Sequence, residues 1–166
     1  GPKIARIYHT NNKNIPKIKH LLEPRLTYSY IPDIDEKDRE KIKIFDGIDS
    51  VNRQSNISYS LTQRLLQKEL EKDGTFSTRD VLRFDISQSF DLIEATGEEK
   101  SENKRPFSDL RFDLDSRLTD FFEFNLDTTF DIYDDVFENW NYDIGVKPLD
   151  SLYLSFQRRY SRRGVK

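Results

Sequence analysis

Ser108-Asp109-Leu110-Arg111-Phe112-Asp113-Leu114-Asp115-Ser116-Arg117-Leu118 places Leu110, Phe112, Leu114 and Leu118 at every second position. Asp109, Arg111, Asp113, Asp115 and Arg117 fill the gaps between them. A period of two belongs to a β-strand with one apolar and one wet side, since successive side chains point to opposite faces. The run is as long as the ~9–11 residues that carry a tilted strand across a bilayer, whereas common strands have about five or six.

The same alternation recurs along the chain. It predicts strands over 19–30, 56–67, 80–92, 107–118, 122–133, 137–147 and 151–161. The last four form a meander with short connections. A strand over Ile4–His9 is expected to be frayed at best. Pro24 implies an edge or bulge position within its strand. Leu61, Leu65, Leu66 and Leu70 also fit helical spacing, but strand followed by loop is preferred there. Matching faces across the turn at 119–121 pairs Leu118 with Phe122, Arg117 with Glu123 and Leu114 with Leu126. It also sets Asp113 against Asp127, which is unfavourable. The next turn pairs Phe130 with Trp140 and Leu126 with Ile144. A slip by one residue would turn every charge to the apolar side, so the register should be firm.

Composition narrows the classes. Of 166 residues, 35% are hydrophobic, 34% charged and 13% aromatic. The mean hydropathy of -0.80 suits a very polar protein, yet the aromatics and the alternation argue against disorder. A net charge of -3 gives no general affinity for nucleic acid. No apolar run approaches the ~18 residues of a transmembrane helix, a test that barrel strands escape. Gly1-Pro2 reads as the scar of a cleaved tag. Residues 1–18 are therefore expected to be that scar plus a loosely ordered basic lead-in. Residues 19–166 should form a single wall segment with a long polar loop at about 31–55, in which 42–45 packs locally.

Alternation fits two solvents. In a soluble sandwich the charges are simply the outer side. In an outer-membrane barrel the apolar stripe meets lipid, and the charges line a hydrated lumen. Strand length and aromatics near strand ends (Tyr133, Trp140, Tyr142, Tyr153, Tyr160) favour the barrel. The expected fold is thus all-β: an antiparallel meander of about seven long amphipathic strands in a transmembrane wall. Lumen-lining candidates are Asp109, Arg111, Asp113, Asp115, Arg117, Glu123, Asp127 and Asp131. Lipid-facing candidates are Leu110, Phe112, Leu114, Phe124, Leu126, Phe130, Trp140, Tyr142 and Ile144. Cross-strand pairing that only holds register explains the charges at least as well as ligand contact.

Chemistry is hard to write on this chain. His9 and His20 have no partner at metal-ligand spacing, and there is no Cys. Six isolated glycines make no phosphate-cradling loop. Asp33, Asp35 and Asp38 hint at calcium, but Lys37 and Ile44 stand where a calcium loop needs ligands. Asp131, Asp134 and Asp135 suit a turn better than a cation. The basic end, Arg158 to Lys166, could meet phosphates but reads more simply as a polar strand end. Neither catalysis nor a cofactor is expected.

Several strings, taken in order, carry a resemblance. They are His20-Leu21-Leu22-Glu23-Pro24, Tyr28-Ser29-Tyr30-Ile31-Pro32, Ile44-Phe45-Asp46 and Tyr59-Ser60-Leu61-Thr62-Gln63-Arg64-Leu65. Leu82-Arg83-Phe84, Ser87-Gln88-Ser89-Phe90-Asp91, Arg105-Pro106-Phe107-Ser108-Asp109 and Asp131-Ile132-Tyr133-Asp134 follow. Together they resemble the barrel domain of the LptD family of lipopolysaccharide-assembly proteins, also called the organic solvent tolerance family, from about residue 20 to 163. The resemblance implies a large barrel in the outer membrane of a Gram-negative bacterium that passes lipopolysaccharide to the outer leaflet. It further implies an LptE-like plug lipoprotein, periplasmic bridge proteins and outer-membrane lipid as partners. The family's jelly-roll domain, cysteines and gate strands are not recognisable, so a central part of the wall is expected. Another outer-membrane channel or transporter, or a soluble β-rich binding module, remain the rival readings.

Overall fold

The computed structural model describes residues 1–33, 53–97, 104–149 and 151–162. Eight strands form one antiparallel sheet in chain order. They are β1 (Ile4–His9), β2 (Lys17–Ile31), β3 (Gln54–Leu70), β4 (Phe76–Asp91), β5 (Leu110–Thr119), β6 (Phe122–Asp131), β7 (Val136–Leu149) and β8 (Leu152–Ser161). A short helix, α1 (Leu92–Thr96), follows β4 and is capped by Asp91, whose side chain accepts from the Ile93 and Glu94 amides. Most of the 31–55 connection, its 42–45 stretch, Asp35, Asp38 and the chain end beyond Arg162 lie outside the described residues.

The meander is as the alternation predicts, with one more strand. The lead-in is not loose: Ile4 to His9 pairs residue for residue with Leu22 to Lys17. Its own pattern is weak, but β2 offers a free edge whose backbone groups need partners. β2, β3 and β4 also run longer than the pattern indicates, at 15, 17 and 16 residues. The helical spacing near Leu66 does not prevail, because β3 stays laddered to β4 as far as Leu70↔Phe76.

Two registers depart from expectation. Across β5–β6, Leu114↔Leu126 and Asp113↔Asp127 hold, but the ladder shifts beyond Ser116 so that Thr119, not Leu118, meets Phe122. Across β6–β7, Leu126 meets Tyr142 and Thr128 meets Trp140, while Phe130 meets Phe137. The Leu126–Ile144 and Phe130–Trp140 pairs are therefore replaced. The cause is the tight turn after β6: Asp131 accepts from the amides of Tyr133 and Asp134, and Asp135 takes φ 55°. A bulge between Thr129 and Phe130 absorbs the odd residue, and the even slide of two leaves facing unchanged.

A second bulge, between Leu65 and Leu66, has a larger effect. Leu65 meets Leu82 and Leu66 meets Asp80, so Val81 is the extra residue, and it is buried. Past it β4 swaps its faces. Leu66, Leu70 and Phe76 join Arg64 and Asp80 on the charged side. Gln67, Glu69 and Arg79 come out on the apolar side, where Arg79 pairs with Glu69 at 2.6 Å.

The sheet closes no core. Among the described residues only Leu21 and Val81 are buried hydrophobics, and no large side chain is fully buried. Leu26 is 74% exposed and Phe156 57%. A sandwich would have covered these residues with a second sheet; here there is one sheet.

Candidate functional site

The charged face is built from transverse rows, because antiparallel register places one residue from each strand side by side. The middle row reads Glu23, Thr62, Asp85, Asp113, Asp127, Asn141 and Arg159 from β2 to β8. Thr62 donates to Asp85, and Asn141 Nδ2 donates to Asp127 at 3.0 Å. The row toward the longer connections reads Arg25, Ser60, Ser87, Arg111, Thr129 and Asn139. Ion pairs tie neighbouring strands: Arg117–Glu123 at 2.8 Å, Arg159–Asp143 at 2.8 Å, and Arg64 with Asp80.

Registers and contacts put the candidates of each class on one face. Arg111, Asp113, Asp115, Arg117, Glu123, Asp127 and Asp131 share the charged face, with Asp109 just ahead of β5 beside Arg111 in one hollow. Leu110, Phe112, Leu114, Phe124, Leu126, Phe130, Trp140, Tyr142 and Ile144 share the other. There Phe137, past the β7 bulge, joins Phe130 and Trp140 with ring centroids 4.9 and 4.6 Å away. Tyr153 leaves the expected aromatic set. It sits on the charged face, where its hydroxyl reaches across β7 to Glu123. That crossing needs Gly145, where a Cβ would stand 2.5 Å from Tyr153 Oη and 2.6 Å from Glu123 Cγ. Arg117, Glu123 and Tyr153 thus link β5, β6 and β8 over a bare stretch of β7.

At the rim of the longer connections, Arg105 binds Asp134 at 2.6 Å and Asp131 at 3.2 Å, and lies over the Tyr133 ring. The Tyr133 hydroxyl accepts from the Phe107 amide at 2.8 Å. The β4–β5 connection is thereby tied to the β6–β7 turn. The hydrogen bond to Asp134 holds the Arg105 guanidinium above its ordinary value, and burial beside Asp131 pushes the Asp109 carboxyl up. Asp131 and Asp134 are thus occupied by a cation and a turn. Among the described residues no His, Cys, Asp and Glu group could hold a metal.

Hollows of about 430, 400, 370 and 240 Å³ lie along the charged face, the first of them between Arg25, Ser60, Ser87 and Arg111. Register arithmetic could have found that row only with the 31–55 connection and the Val81 bulge known. Arg105, Tyr153 and Gly145 gave no periodic signal at all.

One unclosed sheet with a charged, hollowed face and a bare apolar face has the architecture of a β-barrel wall. The family model for LptD, described as LPS transport system D, matches residues 5–166, and the chain belongs to this family. It is a family of transport and assembly components in the Gram-negative outer membrane. No curated protein matches the chain.

Proposed function

We propose that the chain is a non-catalytic segment of the wall of the outer-membrane translocon that delivers lipopolysaccharide to the outer leaflet. The observation that carries this reading is the pairing, in one sheet of an LptD-family chain, of an uncovered apolar face with a densely charged one. On this reading Leu110, Phe112, Leu114, Phe124, Leu126, Phe130, Trp140, Tyr142 and Ile144 meet hydrocarbon. Asp109 to Arg117, Glu123, Asp127 and Asp131 meet a hydrated lumen in which cross-paired charges stay solvated. The ends of β2, β3, β4 and β5 from which the two long connections leave share a rim with the β6–β7 turn, and the other turns share the opposite rim. Outer-membrane barrels put long loops outside and short turns in the periplasm, which orients the wall. An LptE-like plug lipoprotein inside the lumen and periplasmic bridge proteins at the short-turn rim complete the assembly.

The test is complementation of cells depleted of the native translocon component, reading lipopolysaccharide at the cell surface. The full-length protein carrying Leu126→Arg should fail to restore display, and Asp127→Arg should restore most of it. Equal behaviour of the two variants would reject the facing. Restored growth with no change in surface lipopolysaccharide would favour a different outer-membrane transporter.

A further inference from the structure

We infer that the hollow of about 430 Å³ on the charged face is a binding site for an anionic saccharide, held by Arg25 and Arg111 on either side of a floor of serines. The inference rests on the wall reading and assigns that wall a ligand contact of its own.

Arg25 (β2), Ser60 (β3), Ser87 (β4), Arg111 (β5) and Thr129 (β6) are successive register partners. The next row toward the rim supplies Thr27, Ser58 and Ser89, with Ser108 bonded to Ser89. Three strand spacings put about 14 Å between the Arg25 and Arg111 backbones. Both arginines line the same hollow of about 430 Å³.

Both cations of this row are uncommitted, as is Arg83 two rows away, opposite Asp115. Arg64, Arg117 and Arg159 on the same face are each tied to a carboxylate. Among the described residues neither Arg25 nor Arg111 has an ion-pair or hydrogen-bond partner, and neither do the hydroxyls of Ser58, Ser60 and Ser87. Two fork-shaped donors separated by hydroxyls match a ligand with a phosphate or carboxylate and several hydroxyls. Asp109, at the β5 side of the hollow, offers an acceptor to a sugar hydroxyl or amine. The adjacent acid row of Asp85, Asp113 and Asp127 repels the anion and confines it to the arginine row.

The full-length protein in lipid bilayers should be titrated calorimetrically with glucosamine 6-phosphate, glucuronate, neutral glucosamine and inorganic phosphate. At least one anionic sugar should bind about tenfold tighter than neutral glucosamine, more weakly as salt rises. Whether the phosphate or the carboxylate sugar binds tighter identifies the anion. Arg25→Gln and Arg111→Gln should each lose about tenfold, with partial recovery in Arg25→Lys and none of the loss in Lys72→Gln on the β3–β4 turn. Joint Ser60→Ala and Ser87→Ala should weaken the sugar and spare inorganic phosphate. Equal binding of charged and neutral sugars, or arginine variants that bind like the unchanged protein, would overturn the site. Lipopolysaccharide display by those variants judges the wall reading separately: intact display with unchanged sugar binding sinks the site alone.

Discussion

The two halves of the sheet solve the problem of a charged face differently. From β5 to β8 the face is acid-rich, and three carboxylates are held by neighbours, Glu123 by Arg117, Asp143 by Arg159 and Asp127 by the Asn141 amide, while Arg111 stays uncommitted. From β2 to β4 the ladders are longer and the face carries hydroxyls; Arg64 is tied to Asp80 and Thr62 to Asp85, and among the described residues Arg25 has no partner. The alternation also holds along most of β5 and β6 but inverts in β3 and β4 beyond Val81, bringing Leu66, Leu70 and Phe76 to the charged side. Both halves are braced across strands, the β5–β8 half by acid pairs and the β2–β4 half with more free hydroxyls, and the uncommitted row runs across the boundary between them.

The largest expected effect tests the apolar side of the β5–β8 half. Leu126→Arg should destabilise folding into bilayers by about 2–4 kcal/mol if it stands at mid-membrane, measured by reversible denaturant titration. Asp127→Arg should cost far less. Gly145→Val attacks the brace directly, forcing Tyr153 and Glu123 apart. A loss of about 1–3 kcal/mol is expected, as for other insertions into an occupied space; no loss would mean that the Tyr153 crossing is dispensable. Asp127→Asn removes the like charge opposite Asp113 and should stabilise by a few tenths to ~1 kcal/mol in the same titration. Breaking Arg117–Glu123 with Arg117→Ala should cost only a few tenths of a kcal/mol, because the arginine is well exposed.

The smallest effect is a pH slope at the rim. Burial raises the Asp109 carboxyl above the ordinary carboxylate value. In the window just above that value the folded protein binds more protons than the unfolded chain. Stability therefore falls as pH rises through the folded pKa, and Asp109 is a mild liability at neutral pH. Asp109→Asn should flatten that part of the stability profile; an unchanged slope would exclude this residue as its source.

How much of this was legible depended on whether a feature was periodic. Leu110 to Leu114 and Phe122 to Leu126 alternate strictly, so their facing and the Leu114–Leu126 register could be read from the string alone. The β6–β7 register could not, since the Asp131 turn and the β7 bulge each absorb residues that hydrophobicity does not mark. β1 was obscured because its strand conformation comes from the edge of β2 rather than from its own residues. The Arg25–Arg111 row joins residues 86 positions apart through three ladders, one of them bulged, and no local pattern contains it.

The central claim concerns facing, and because this segment has no cysteine, single cysteines placed in it can be read against the unsubstituted protein as background. Single substitutions Phe124→Cys, Asn125→Cys, Leu126→Cys and Asp127→Cys in the full-length protein, assembled in membranes, can be challenged with a charged water-soluble thiol reagent and with a lipid-soluble one. Positions 125 and 127 should react with the water-soluble reagent and 124 and 126 with the lipid-soluble one, alternating along β6. Uniform labelling by the water-soluble reagent at all four positions would contradict a wall between lipid and lumen.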